Sequence, residues 1–165
     1  MRLWVLAALL AASQDPYAAR RERMVRDHIE ARQVRNRDVL KVMRATQRHL
    51  FVPDSLREEA YADSPLPIGH GQTISQPYVV AAMTELLDPA PHHKVLEIGA
   101  GSGYQAAVLS PLVARVFTIE ILPELARAAR ARLERLGYRN IVVREGDGYR
   151  GWPDKGPFDA IIVTA

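Results

Sequence analysis

Apolar residues recur along this chain in two rhythms, one helical and one of short unbroken runs. Between Tyr17 and Val34, Met24, Val25 and Ile29, with Ala18 and Ala31 nearby, fall at helical spacing and predict one helix, with Asp15-Pro16 supplying an N-cap and a proline for its first turn. Asp38 is placed to cap a shorter helix carrying Val39, Leu40, Val42 and Met43. Phe51-Val52-Pro53 breaks the rhythm, and the stretch from Pro53 to Pro77, with four prolines and two glycines, is expected to be a long irregular loop of functional kind. Val79, Val80, Met83, Leu86 and Leu87 then predict a helix over 78–87, stopped by Asp88-Pro89-Ala90-Pro91. From there short apolar runs alternate with amphipathic stretches. Strands are expected over 95–98, 113–119, 140–144 and 158–164, with helices over 104–110 and 123–136, the last ended by Gly137. Apolar strands alternating with helices imply an α/β fold: a parallel sheet covered by helices on both faces. There is no internal repeat and no low-complexity tract.

Composition adds limits. The 165 residues are 48% apolar and 25% charged, the balance of a single globular domain. The net charge of +3 comes largely from an arginine-dense region between Arg20 and Arg57. Acids such as Glu22, Asp27, Glu30 and Asp38 interleave with those arginines, so the region reads as a salt-bridged helix face, and no nucleic-acid partner is expected. The absence of cysteine excludes disulfides, thiolate metal sites and a cysteine nucleophile. Residues 1–13, MRLWVLAALLAAS, resemble a short secretory leader and are too short to span a bilayer; a docking helix or an early start codon fits them equally.

The candidate chemistry begins where the first strand of the alternating region ends. Gly99-Ala100-Gly101-Ser102-Gly103 forms a turn in which glycine allows unusual backbone angles and close approach of a ligand, with amides of the following helix expected to face that ligand. A dinucleotide fingerprint would place its last glycine at position 104, which is Tyr, so the turn is poorly suited to a pyrophosphate. Glu97 precedes the turn. Glu120 ends the second strand, where an acid accepts hydrogen bonds from both hydroxyls of a ribose. Gly146-Asp147-Gly148 follows the third strand and brings a carboxylate toward an adenine amino group. Taken singly these are a tight turn, a surface charge and another turn; together they outline one nucleoside pocket. His70 between two glycines and His92-His93 in a proline-flanked turn read as hydrogen-bonding or surface residues, and no metal site is expected.

With those residues in place, the chain resembles the class I S-adenosylmethionine-dependent methyltransferases. The likeness runs through Val95 to Gly103, Glu120, Gly146-Asp147-Gly148 and Phe158-Asp159-Ala160-Ile161-Ile162-Val163. More narrowly, Leu66 to Tyr78 (LPIGHGQTISQPY) and the tail Gly148-Tyr149-Arg150-Gly151-Trp152 are similar to the protein-L-isoaspartate O-methyltransferases. The likeness covers about Met24 to Ala165. It implies a Rossmann-like class I fold whose C-terminal strands are missing after Ala165, so the chain reads as a fragment. Residues 14–77 would form a helical and loop extension contributing to the active site, and 78–165 an incomplete cofactor domain.

The resemblance also implies a function: methylation of the α-carboxylate of L-isoaspartyl residues in damaged proteins, which starts their return to aspartate. S-adenosyl-L-methionine would be the cofactor, with Ser75 as the active-site serine and Thr73 and Ile74 beside the cofactor, together with Glu97, Gly99, Gly101, Gly103, Glu120, Asp147 and Gly148. A substrate carboxylate of pKa about 3.5 is already ionised at pH 7, so the chemistry needs positioning and not a general base. Ser75 is accordingly expected to position the substrate, while capping of the helix over 78–87 remains open to it. A monomer in the cytoplasm is expected, with export the alternative. Three rival readings stay open: a small-molecule methyltransferase, a nicotinamide-dependent oxidoreductase and a non-catalytic binding module.

Overall fold

The structure, a computed structural model, describes residues 15–165. The leader-like residues 1–13 lie outside the described residues.

The first helical run has three parts: α1 (Ala18–Met24), a π turn over Val25–Ile29 and a 3-10 turn over Glu30–Arg32, ended by Gln33 in the left-handed region. Asp15 serves its start differently from a standard cap. Its carboxylate accepts the Tyr17 amide at 2.9 Å and pairs with Arg21 at 2.6 Å, while Tyr17 occupies the cap position without a side-chain bond. Helix α2 (Arg37–Ala45) is capped by Asn36, whose side-chain oxygen accepts the amides of Asp38 (3.0 Å) and Val39 (3.2 Å). Asp38, expected as the cap, is therefore in the first turn, where its negative charge still suits the helix dipole. The extended backbone of Asn36 turns its short side chain back over the open amides, and this decides between the two.

The proline-rich stretch is more ordered than its composition suggests. Two 3-10 turns (Arg48–Phe51 and Asp54–Glu59) lead into a hairpin of β1 (Leu66–Gly69) and β2 (Gln72–Ile74), paired Leu66 to Ile74 and Pro67 to Thr73. Its tip is unusual: Gly69, His70 and Gly71 all have positive φ, at 94°, 54° and 72°. The hairpin feeds directly into α3 (Pro77–Leu87).

Next come β3 (Lys94–Ile98), α4 (Tyr104–Leu109), β4 (Arg115–Glu120), α5 (Pro123–Arg135), β5 (Ile141–Glu145) and β6 (Ala160–Val163). The four strands pair in parallel in the order β5-β4-β3-β6, so the chain starts the sheet at its centre and builds outward on both sides. Val95, Val116, Val143 and Ile162 share one face and form a single core with Val80 and Ala81 of α3, Ala106 to Leu109 of α4, and Ala126 and Leu133 of α5. The N-terminal helices join that core through Met24, Val25, Ile29, Val39 and Met43. All six residues of α4 are buried, including the polar Gln105, which donates to the Thr84 hydroxyl at 2.8 Å.

The opposite face differs from expectation. Leu96, Phe117 and Ile119 there are covered by Trp152 and Phe158 from the segment before β6, and Ile161 and Val163 stay exposed. Among the described residues every α-helix in contact with the sheet packs on the first face. Alternation alone carries no record of which face each crossover takes, and the two crossover helices, α4 and α5, both return on the same one.

Candidate active site

The carboxyl ends of β3, β4 and β5 meet in a cleft of about 570 Å³, closed on the hairpin side by Gln72 and Thr73. Its walls include Gly99 and Gly101 after β3, Glu120 at the end of β4, and Asp147 and Gly148 after β5. Of the residues singled out by sequence, Thr73, Gly99, Gly101, Glu120, Asp147 and Gly148 are thus brought together. Ile74 and Gly103 lie behind the wall, Ile74 buried in the core and Gly103 against Leu133. Ser75 is half-buried and lies two residues past Thr73 of the wall, but is not itself one of the wall residues. Sequence reasoning passed over Gln72, Ile121, Leu122, Tyr149 and Thr164, which complete the walls. Ile121 and Leu122 carry one usable signal, since they directly follow the strand-end acid.

Glu120 does more than present an acid. One oxygen accepts the Gly101 amide at 2.8 Å and the other accepts the Leu122 amide at 3.0 Å, so the carboxylate fixes both the glycine turn and the exit of β4. The other turn amides are also engaged: Gly99 and Ala100 donate to the Ile119 carbonyl at 2.8 and 3.3 Å, and Gly103 donates to that of Ala100 at 2.7 Å. Four of its amides are therefore spent on holding its own shape, not turned toward a ligand as the glycine pattern suggests. From outside, Arg132 of α5 donates to the Ser102 carbonyl at 2.8 Å, and Thr164 donates through its hydroxyl to that of Gly99 at 2.8 Å.

Two glycines are required sterically. At Gly99 (φ 95°) a Cβ would lie 2.7 Å from the Ala165 nitrogen, and at Gly148 it would lie 2.3 Å from Cγ2 of Ile98. Asp147 caps its own turn by accepting the Tyr149 amide at 2.9 Å, and its second oxygen stands 3.9 Å from Nε of Arg150.

Glu97 occupies a different environment. It points to the helix-covered face of β3, fully buried, beside the Thr118 hydroxyl of the adjacent strand, which opposes the effect of burial on its carboxyl. Burial pushes its carboxyl up to about 8, and the negative charge of Glu120 acts in the same direction. It lies behind the cleft and outside its walls.

The charge of the walls decides what kind of nucleoside fits. Among the described residues they carry two carboxylates, Glu120 and Asp147, and no lysine, arginine or histidine. A pyrophosphate would find four of the five turn amides engaged and two carboxylates in the walls; a ligand with hydroxyl donors and a positive charge would find acceptors.

Residues 19–165 match the family of protein-L-isoaspartate(D-aspartate) O-methyltransferases. The chain belongs to this family. The protein-L-isoaspartate O-methyltransferase of Picosynechococcus sp. is 58% identical over 151 residues, covering 92% of this chain and 68% of that protein. That of Synechococcus sp. is 56% identical over 153 residues (93% and 63%), and protein-L-isoaspartate O-methyltransferase 2 of Shewanella sediminis is 56% identical over 160 residues (97% and 66%). The chain thus spans about two thirds of the length of these relatives. A solved protein-L-isoaspartate O-methyltransferase superposes with a TM-score of 0.74 at 32% identity, over 82% of this chain and 45% of that one. A Plasmodium falciparum structure, at TM-score 0.72 and 23% identity over 88% of this chain and 73% of its own, shares the fold. For this isoaspartate methyltransferase family member the Rossmann-like class I architecture expected from sequence therefore stands, with its described helices gathered on one face.

Proposed function

We propose that the cleft holds S-adenosyl-L-methionine and that this chain methylates the α-carboxylate of L-isoaspartyl residues in proteins and peptides. The observation that carries the cofactor assignment is the acidic cleft, with two carboxylates and, among the described residues, no basic side chain in its walls, set on a glycine turn that spends four of its five amides on its own shape. Membership of the family carries the substrate assignment.

The residues present fit the group. Glu120 retains lone pairs for ribose hydroxyls beyond the two amides it accepts, and the second oxygen of Asp147, in a long 3.9 Å ion pair with Arg150, keeps lone pairs for an adenine amino group. Gly99, Gly101, Gly148 and Thr73 give the walls, while Ile74, Glu97 and Gly103 shape them from behind. When bound, the cofactor supplies a sulfonium methyl that a carboxylate oxygen takes in line, leaving a neutral thioether. The attacking oxygen is already ionised, so the chain has only to hold it in line and keep water out, which is worth several kcal/mol of barrier. Ser75 holds the substrate by a hydroxyl hydrogen bond. That hydroxyl is not needed as a helix cap, since Gln76 occupies the cap position of α3.

We place the protein in the cytoplasm, where the cofactor is made, as a monomer acting on isoaspartyl peptides, with no nucleic acid or membrane partner. Among the described residues no helix is long and apolar enough to cross a membrane.

The test is methyl transfer from labelled S-adenosyl-L-methionine to an isoaspartyl peptide, with the matched aspartyl peptide as control. Transfer to the isoaspartyl peptide alone, reduced at least about tenfold in Ser75→Ala, is expected, in line with the usual cost of removing a charge-assisted hydrogen bond. A folded chain that binds the cofactor and modifies neither peptide refutes the substrate reading.

A further inference from the structure

We propose that Asp63 is a positioning residue for this reaction: from the N-terminal segment it fixes the Ser75-Gln76 strip and the start of α3 at the cleft. The proposal rests on the role given to Ser75 above.

Helix α3 lacks a cap of its own. Pro77 is its first residue, and Gln76, at the cap position, makes no side-chain capping bond. The amide that a cap would serve, that of Tyr78, is taken by Asp63 at 3.1 Å across fifteen residues of chain. The other oxygen of Asp63 accepts the Gln76 side-chain amide at 2.8 Å and pairs with Arg32 at 3.0 Å. Arg32 in turn lies 3.4 Å above the centre of the Tyr78 ring. One carboxylate, with its side chain 14% exposed, therefore gathers three donors from the first helical run and from the strip that enters α3.

Asp63 also matters to a buried cation. Arg48 is fully buried, donates through Nε to the Ala60 carbonyl at 2.8 Å and stands 5.0 Å from the ring of Tyr104, the first residue after the glycine turn. Burial disfavours its charge, and Asp63 is one of the groups opposing that effect.

Ser75 therefore spans two anchored points. On one side Ile74 is buried and paired with Leu66; on the other Gln76 is tied to Asp63. Adjacent Cα atoms are about 3.8 Å apart, so a residue held at both neighbours has little room to move. The serine needs no packing of its own to be placed.

The experiment compares the full chain with Asp63→Ala and Asp63→Asn by residue-resolved hydrogen exchange without ligand, by calorimetric affinity for S-adenosylhomocysteine, and by kcat and KM with the isoaspartyl peptide. In Asp63→Ala, exchange at Tyr78 should rise about tenfold, the usual consequence of losing a cap, while exchange in α5 stays unchanged. The kcat should fall by a similar factor, with affinity for S-adenosylhomocysteine within about twofold of wild type. Asp63→Asn, which keeps one acceptor, should recover part of both losses and carries the test if the alanine variant unfolds. Unchanged exchange at Tyr78, or a rise shared equally by α5, overturns the proposal, as does an unchanged kcat. A wild-type chain that folds but methylates no isoaspartyl peptide overturns the function reading instead, and the exchange result then still decides whether Asp63 holds the strip.

Discussion

Glu97 makes a prediction that can be worked through to a number. Its carboxyl has an ordinary value of 4.5 and is pushed up to about 8 in the fold, chiefly by complete burial. The folded protein therefore binds this proton more tightly than the unfolded chain does. Its contribution to stability is fully present below about pH 4.5 and is lost as pH rises toward 8. Linkage, at roughly a factor of ten in the folding equilibrium per pH unit, gives a loss of about 2–3 kcal/mol between about pH 5.5 and 7.5. Glu97→Gln keeps the shape and cannot ionise, so it removes the pH dependence whatever its fixed offset. Urea denaturation of both proteins across that range should show the glutamine variant gaining on the wild type by about 2–3 kcal/mol, a large part of the roughly 5–15 kcal/mol typical of a domain. A constant gap between the two curves would refute a neutral buried Glu97.

Two further perturbations test the cleft. Glu120→Ala leaves the Gly101 and Leu122 amides without their acceptor, at about 1–3 kcal/mol each where buried, so calorimetry with S-adenosylhomocysteine should show a loss of at least about tenfold together with a lower melting temperature. Wild-type affinity at an unchanged melting temperature would contradict both roles. Gly148→Ala sets a methyl 2.3 Å from Ile98 Cγ2, an overlap that costs about 1–3 kcal/mol and displaces the cleft floor. It should weaken cofactor binding, and adding Ile98→Ala should restore part of it.

The elements with sustained periodicity were readable from the chain: α3, α5 and the four parallel strands lie within a few residues of where apolar spacing puts them. The hairpin was not, because β1 and β2 have only 4 and 3 residues and carry a proline, which leaves no alternation to detect. Glu97 shows a signal available but unused. In a strand it shares a side with Val95, and that parity places it in the core, not in the cleft. Glu120 was legible as an acid at a strand end, whereas its hold on Gly101 depends on two segments meeting in space. Asp63 lay beyond sequence reasoning for the same reason: capping rules look for Ser, Thr, Asp or Asn beside the helix start, and here the cap comes from an earlier segment.

The hairpin and the glycine turn meet at one contact, where Cδ1 of Ile68 would stand 3.4 Å from a Cβ at position 101. This makes the second glycine of the turn answerable to two neighbours, a ligand in the cleft and a methyl group from another part of the chain. Substitutions at 68 and 101 should therefore be non-additive, and a sequence drifting at one position would be constrained by the other. The same β1–β2 unit continues into Ser75, so the spacing between the glycine turn and the Ser75 segment is inherited as a coupled pair and not as two independent motifs.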